Sequence, residues 1–128
     1  MQKFIDPQYA TPELLSDEIC GPFSDLWALG IIACELFFGQ NPFIGDSEEE
    51  ILDRIKNGKP RLPEDLDKDA KSFICCLLQM NPVKRLGNTA AHWQASMQEL
   101  KGHALFKEYE WPPKASSDFW FTKSEEYQ

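Results

Sequence analysis

Ser24-Asp25-Leu26-Trp27-Ala28-Leu29-Gly30-Ile31-Ile32-Ala33-Cys34-Glu35-Leu36-Phe37-Phe38, closed by Gly39, is the stretch whose reading decides the fold. Between Leu26 and Phe38 only Glu35 is charged, and apolar side chains occupy every side of a 3.6-residue helix instead of one stripe. A helix with that pattern is buried all round, so residues 24–38 are predicted to be the core helix against which the rest packs. Ser24 or Asp25 can cap the free amides at its start, and Gly39 suits the left-handed residue that ends a helix. A membrane span needs roughly 18 or more apolar residues, and this run is shorter and contains Glu35.

Upstream, residues 1–9 show no periodicity and Pro7 interrupts any regular element. Thr11-Pro12-Glu13-Leu14-Leu15 reads as a short helix: Thr11 caps, Pro12 fits the first position and Glu13 lies at the positive end of the dipole. Gly21-Pro22 is read as the break before the core helix. Downstream, Gln40 to Asp46 is a loop whose Phe43 turns back onto the core. Ser47 and Glu50 have capping-box spacing and open a helix over residues 47–57, with Ile51, Leu52 and Ile55 on its apolar face. Its three glutamates read either as a solvated first turn or as a site for a basic ligand. Lys59 to Pro63 is extended, since two prolines exclude helix. Leu66, Ala70, Phe73, Ile74, Leu77 and Leu78 share one face, predicting an amphipathic helix over about residues 66 to 79 that covers the core helix. A turn through Arg85 and a short helix near Ser96 to Leu100 come next. From Pro112 onward the composition is that of a linker or a loosely docked tail.

With 128 residues, 42% of them hydrophobic and 12% aromatic, the chain is long enough for one modest core and reads as globular. Its net charge of −8 argues against nucleic acid or an anionic membrane surface, which are bound through clustered Lys and Arg, and suits a basic partner or substrate. The four cysteines, including the pair Cys75-Cys76, have the spacing of neither a zinc site nor a secreted disulfide framework, so buried reduced thiols are expected. No apolar signal segment follows Met1-Gln2-Lys3, and the expected location is cytoplasmic with no transmembrane segment.

Five signatures then become specific together. In order, they are Thr11-Pro12-Glu13, Asp25-Leu26-Trp27-Ala28-Leu29-Gly30, Gly39-Gln40-Asn41-Pro42-Phe43, Asn81-Pro82-Val83-Lys84-Arg85-Leu86-Gly87 and His103-Ala104-Leu105-Phe106. They resemble, in order and spacing, the latter half of a eukaryotic protein kinase domain. Tyr9-Ala10-Thr11-Pro12-Glu13-Leu14-Leu15 and Lys84-Arg85-Leu86-Gly87 look most like the AGC group of serine/threonine kinases and, within it, the phosphoinositide-dependent kinases. The resemblance implies a mainly α fold, a partial kinase C-terminal lobe over residues 1–111 with a tail at 112–128. It also implies a parent that moves a phosphoryl group from magnesium-bound ATP to a protein hydroxyl.

Neither His-Arg-Asp nor Asp-Phe-Gly occurs in the chain, and no glycine-rich phosphate loop is present. The expectation is therefore a fragment with no catalytic residue and no metal ligand of its own, inactive alone. ATP and magnesium are implied for the full-length parent, and the remainder of the kinase domain is implied as a partner. The different-class alternative is a non-catalytic helical interaction module or pseudokinase remnant. A departure at Asp6-Pro7, where kinases usually carry Gly-Thr and a small residue, leaves a pseudokinase parent open.

Carried over position by position, Gln8, Tyr9, Ala10 and Glu35 match substrate-binding positions, and Glu13, Asp25 and Arg85 match positions that support the active site. Asp25 corresponds to an aspartate that holds the amides of the catalytic loop, or it is simply a helix cap. Glu13 and Arg85 correspond to an ion pair that locks the substrate-facing loop to the lobe, the alternative being two unrelated surface charges. Glu35 needs a reason, because a carboxylate in an apolar helix is costly unless it is paired or reaches water. It reads basic substrate residues in related AGC kinases, or it is a structural acid bonded to Tyr9 or a backbone amide.

Overall fold

A computed structural model describes residues 7–89 and 93–111. The departure at Asp6 and the tail expected at 112–128 lie outside the described residues. Five α-helices run in chain order: α1 (Pro12–Leu15), α2 (Pro22–Phe38), α3 (Glu48–Lys56), α4 (Lys68–Leu77) and α5 (Trp93–Lys101). Three 3-10 turns, Pro7–Tyr9, Pro82–Lys84 and Ala104–Phe106, sit between or beside them. Among the described residues there is no strand, and the mainly α class expected from sequence is what they adopt.

Helix α2 is the centre of the fold. It packs chiefly on α4, and Trp27, Ile31 and Cys34 of α2 with Ile74 and Leu77 of α4 are wholly buried. Gly30 permits this approach: a Cβ there would stand 2.8 Å from Leu78 Cδ2 and 3.0 Å from Leu77 Cβ. Phe43 does fold back, stacking on Trp27 with ring centroids 5.3 Å apart. Gly39 closes α2 at φ +81°, a conformation that costs a residue with a Cβ but not glycine.

Three boundaries differ from expectation, those of α2 and α4 for a local reason. Helix α2 begins two residues early, because Pro22 occupies the first helical position instead of separating two elements. Neither Ser24 nor Asp25 is its cap residue; Gly21 is, and its N–H donates to Ser24 Oγ at 3.4 Å. Helix α4 begins late, at Lys68, because Asp67 accepts from the N–H groups of Asp69 and Ala70 and thereby fixes the start. Leu66 still packs on the core from outside the helix. Helix α5 starts at Trp93, ahead of the expected Ser96. In α3, Ser47 accepts from Glu50 N–H as the capping box requires, but the Glu50 carboxylate reaches one residue further back, to Asp46 N–H at 2.9 Å.

The all-round burial expected of α2 is the main correction. Ile32, Leu36 and Phe37 are 48%, 80% and 49% exposed, so one flank of the central helix is open. The apolar pattern reports how much surface seeks burial and leaves unsaid which segment covers it.

Candidate functional site

The segment before α2 is short and irregular, yet Ala10, Thr11, Pro12 and Glu13 are all buried. Local chemistry shapes it first: Thr11 Oγ1 accepts from Leu14 N–H at 3.2 Å, and Pro12 pre-sets the first turn of α1. This places Glu13 facing inward, only 2% exposed.

On the far side of the sequence, α4 ends at Leu77, and Asn81 Oδ1 accepts from Val83 N–H to start the turn Pro82–Lys84. Arg85 comes next in an extended conformation and turns its side chain into the lobe, leaving 1% of the residue exposed. Its guanidinium grips Glu13 with two parallel bonds, Nη1 to Oε2 at 2.7 Å and Nη2 to Oε1 at 2.8 Å. Nε also donates to the Gln79 carbonyl at 2.9 Å, and Nη1 to the Phe23 carbonyl at 2.8 Å. The guanidinium carbon lies 5.1 Å from the centre of the Trp27 ring. One side chain therefore joins α1, the start of α2 and the end of α4. Lysine could not replace it, having a point charge where this site uses a planar fork.

Ser24 completes the arrangement by donating from Oγ to Glu13 Oε2 at 3.0 Å. From sequence Ser24 reads only as a possible cap; its position three residues after Gly21, facing α1, is the signal that could have found this role. Burial by itself pushes the Glu13 carboxyl up, but the bonds from Arg85, from a backbone amide and from Ser24 outweigh it and hold the group below the ordinary carboxylate range.

Glu35 lies elsewhere on α2, half-buried, and accepts a hydrogen bond from Tyr9 Oη at 3.1 Å. Tyr9 and Gln8 belong to the turn Pro7–Tyr9, and Ala10 is buried just beyond it. The structure thus brings Tyr9 to Glu35 and Glu13 to Arg85, as two separate contacts. Asp25 joins neither: it is exposed, with no hydrogen bond or ion pair among the described residues, beside a cavity of about 600 Å³ shared with Asn88, Thr89 and Ser96. His103, read from sequence only as part of the last signature, has contacts that the sequence did not show: its Nδ1 accepts from Leu105 N–H at 3.0 Å while Nε2 lies 3.1 Å from Ser72 Oγ, pinning the turn Ala104–Phe106 to α4.

Among the described residues no group of three or more His, Cys, Asp or Glu could hold a metal ion; of the glutamates of α3, Glu48 and Glu49 are exposed and Glu50 pairs with Arg54 at 3.1 Å. No step through ATP or magnesium is assigned to them. Among the same residues no helix is long and apolar enough to cross a membrane.

The protein kinase domain family matches residues 1–106. Serine/threonine-protein kinase N2 of Danio rerio is 36% identical over 106 residues, 83% of this chain and 10% of that protein. Protein kinase C epsilon type of Oryctolagus cuniculus is 38% identical over 105 residues, covering 82% of this chain and 14% of that protein. Protein kinase C eta type of Mus musculus is 32% identical over the same length, with shares of 82% and 15%. The chain spans a small fraction of the curated relatives it matches, all of them serine/threonine kinases or protein kinase C types. Matched by that family's model over most of its length, the chain belongs to the protein kinase domain family.

Proposed function

We propose that this chain is the substrate-facing part of the C-terminal lobe of a cytoplasmic serine/threonine kinase, whose remaining parts supply the ATP and magnesium sites. The observation that carries the reading is the bidentate Glu13–Arg85 clasp: it ties the segment Gln8-Tyr9-Ala10-Thr11, which would lie along a peptide, to the rigid α2–α4 body. Asp25, exposed at the start of α2, would receive the amides of a catalytic loop contributed by the rest of the domain. The four free cysteines among the described residues fit a reducing compartment. Tyr9-Ala10-Thr11-Pro12-Glu13 and Lys84-Arg85-Leu86-Gly87 support a parent near the phosphoinositide-dependent kinases within the AGC group.

Glu35 is the proposed reader of a basic substrate side chain. Among the described residues its hydrogen bond from Tyr9 would have to give way, and the chain's strongly negative net charge favours a basic peptide. The test is a chimera joining this chain to the missing part of a relative's kinase domain. Phosphorylation of serine peptides is expected, and Glu35→Gln should weaken use of arginine-containing peptides while sparing neutral ones and the melting temperature. Equal loss on both peptide classes, or a large fall in melting temperature without discrimination, assigns Glu35 to the scaffold. A well-folded chimera with no phosphotransfer favours the non-catalytic interaction module.

A further inference from the structure

Asn41, Asp67, Asn81 and His103 share one local device: each accepts a hydrogen bond from the backbone N–H two residues ahead and so opens a turn or a helix. The Asn41, Asp67 and Asn81 oxygens accept from Phe43, Asp69 and Val83 at 2.9, 3.0 and 3.0 Å, and His103 Nδ1 accepts from Leu105 at 3.0 Å. Amide and carboxylate oxygens remain acceptors in mild acid, whereas an imidazole nitrogen accepts only while it carries no proton. The contact with Leu105 also fixes the tautomer. Nδ1 is bare, so the ring proton is on Nε2, which donates to Ser72 Oγ of α4 at 3.1 Å. The ring lies edge-on to Phe73 at 5.2 Å, and the turn it opens sets Phe106 edge-on to the same Phe73 at 5.4 Å. Charged groups nearby come from three places: Lys68, Asp69 and Lys71 on α4, Lys107 and Glu108 after the turn, and Lys101 at the end of α5. Asp69 is taken by Lys107 at 3.1 Å and Lys101 lies over the Trp111 ring, and among the described residues no charged group bonds the His103 ring.

We propose that His103 is a proton-operated latch: with the ring neutral it fastens the turn Ala104–Phe106 to α4, and a proton on Nδ1 releases that turn. Protonation converts Nδ1 from acceptor to donor and sets its N–H against the N–H of Leu105, whereas Nε2 donates to Ser72 in both states. The ring therefore stays on α4 while the turn lets go, and Phe106 loosens from Phe73. The contribution of the bond to Leu105 is complete while the ring is neutral and is lost as the pH falls and the ring takes up its proton. An asparagine in place of His103 would open the same turn, as Asn41 and Asn81 do, without this sensitivity. The latch goes beyond the kinase reading and does not rest on it.

The test uses the full 128-residue chain, isotopically labelled for nuclear magnetic resonance. At about pH 8 the His103 ring nitrogens should show Nδ1 bare and Nε2 protonated, and the opposite tautomer overturns the proposal. Between about pH 8 and about pH 5.5, the protection of the Leu105 amide against hydrogen exchange, corrected for the intrinsic rate, should fall several-fold, the size of one lost hydrogen bond. The Val83 amide, held by Asn81, should keep its protection over the same range. His103→Asn retains an oxygen for the Leu105 N–H and removes the titration, so its Leu105 protection should be equal at both pH values. His92→Asn removes the other histidine of the chain and should leave the wild-type response in place. Leu105 protection that ignores pH in the wild type, a fall shared equally by Val83, a response that survives in His103→Asn, or one abolished by His92→Asn each overturns the latch. If circular dichroism shows His103→Asn to be unfolded, the wild-type tautomer and the contrast between Leu105 and Val83 still decide.

Discussion

Replacing Arg85 with alanine strands Glu13, a carboxylate that is 2% exposed and keeps only the Ser24 hydroxyl and a backbone amide as donors. The cheapest escape is to protonate it. Neutralising a carboxyl of ordinary value 4.5 at pH 7 costs about 3.4 kcal/mol, at 1.36 kcal/mol per pH unit. The Gln79 and Phe23 carbonyls lose their donors as well, each part-buried and worth about 1 kcal/mol or less if water reaches it. A loss of about 3–5 kcal/mol is expected, in line with other broken buried pairs. Urea denaturation followed by tryptophan fluorescence measures it. The pH dependence supplies a second check. In the wild type the Glu13 value is lowered, so its stabilisation is complete above pH 4.5 and is lost as the pH falls through the folded-state value. Without Arg85, burial dominates and raises that value, so the variant loses stability as the pH rises from about 4.5. The deficit should therefore be smallest near pH 4 and widen towards pH 7. Combining Arg85→Met with Glu13→Gln should recover much of the loss, giving a coupling energy of at least about 2 kcal/mol. A cycle that closes within about 0.5 kcal/mol of zero would refute the clasp as the organising contact.

The same packing sets further outcomes. Gly30→Ala gains helix propensity of about 1 kcal/mol, but its Cβ would press on Leu78 and Leu77, so a net loss of about 1–3 kcal/mol in urea denaturation is expected. Burial first, then the neighbouring Glu35 and Cys75, pushes the Cys34 thiol up to about 11. Iodoacetamide at pH 8 should accordingly label exposed Cys20 in the native protein and leave Cys34 unmodified until urea is added, as peptide mass mapping would show. Titration calorimetry of the chain alone with magnesium and ATP should show no binding at micromolar concentrations; a saturable signal would place a nucleotide site on residues not credited with one.

How far these features could be read in advance depended on whether the cause was local. Helix α3 was legible because Ser47, the glutamates and the Ile51–Ile55 spacing all act within two turns, and its observed span lies within the expected one. The start of α4 was misplaced because Leu66 shares the apolar face of the helix yet precedes its cap, and only the folded backbone shows that Asp67 starts it. The exposure of Ile32 and Leu36 was invisible, since an apolar residue is the same letter whether its neighbour is present or not. Glu13 and Arg85 lie 72 positions apart, and nothing in periodicity or charge links them; the family resemblance suggested the pair, and the side chains themselves supply the geometry.

The clasp also explains why a buried charge sits where an apolar pair could serve. Burying an ion pair rarely stabilises more than well-packed hydrophobic residues of the same volume, so its value lies in direction. A leucine against a leucine tolerates sliding and rotation, whereas a planar guanidinium that must satisfy two carboxylate oxygens and two backbone carbonyls at 2.7–2.9 Å admits one orientation of α1 relative to α2. Arg85 fixes the four-residue helix α1 in this way, although α1 is too short to hold itself by helical cooperativity. The segment from Gln8 to Thr11 inherits that orientation, and the Tyr9–Glu35 bond fastens its other end to the same helix, α2. Both ends of the proposed peptide-facing segment are thus referred to one rigid element. Arg85→Lys separates this account from simple charge balance: it keeps the charge but loses the fork, so it should recover part of the stability lost in Arg85→Ala while leaving residues 8–15 exchanging amide hydrogens faster than in the wild type. Protection equal to wild type in that variant would mean that charge alone, without bidentate geometry, orients α1.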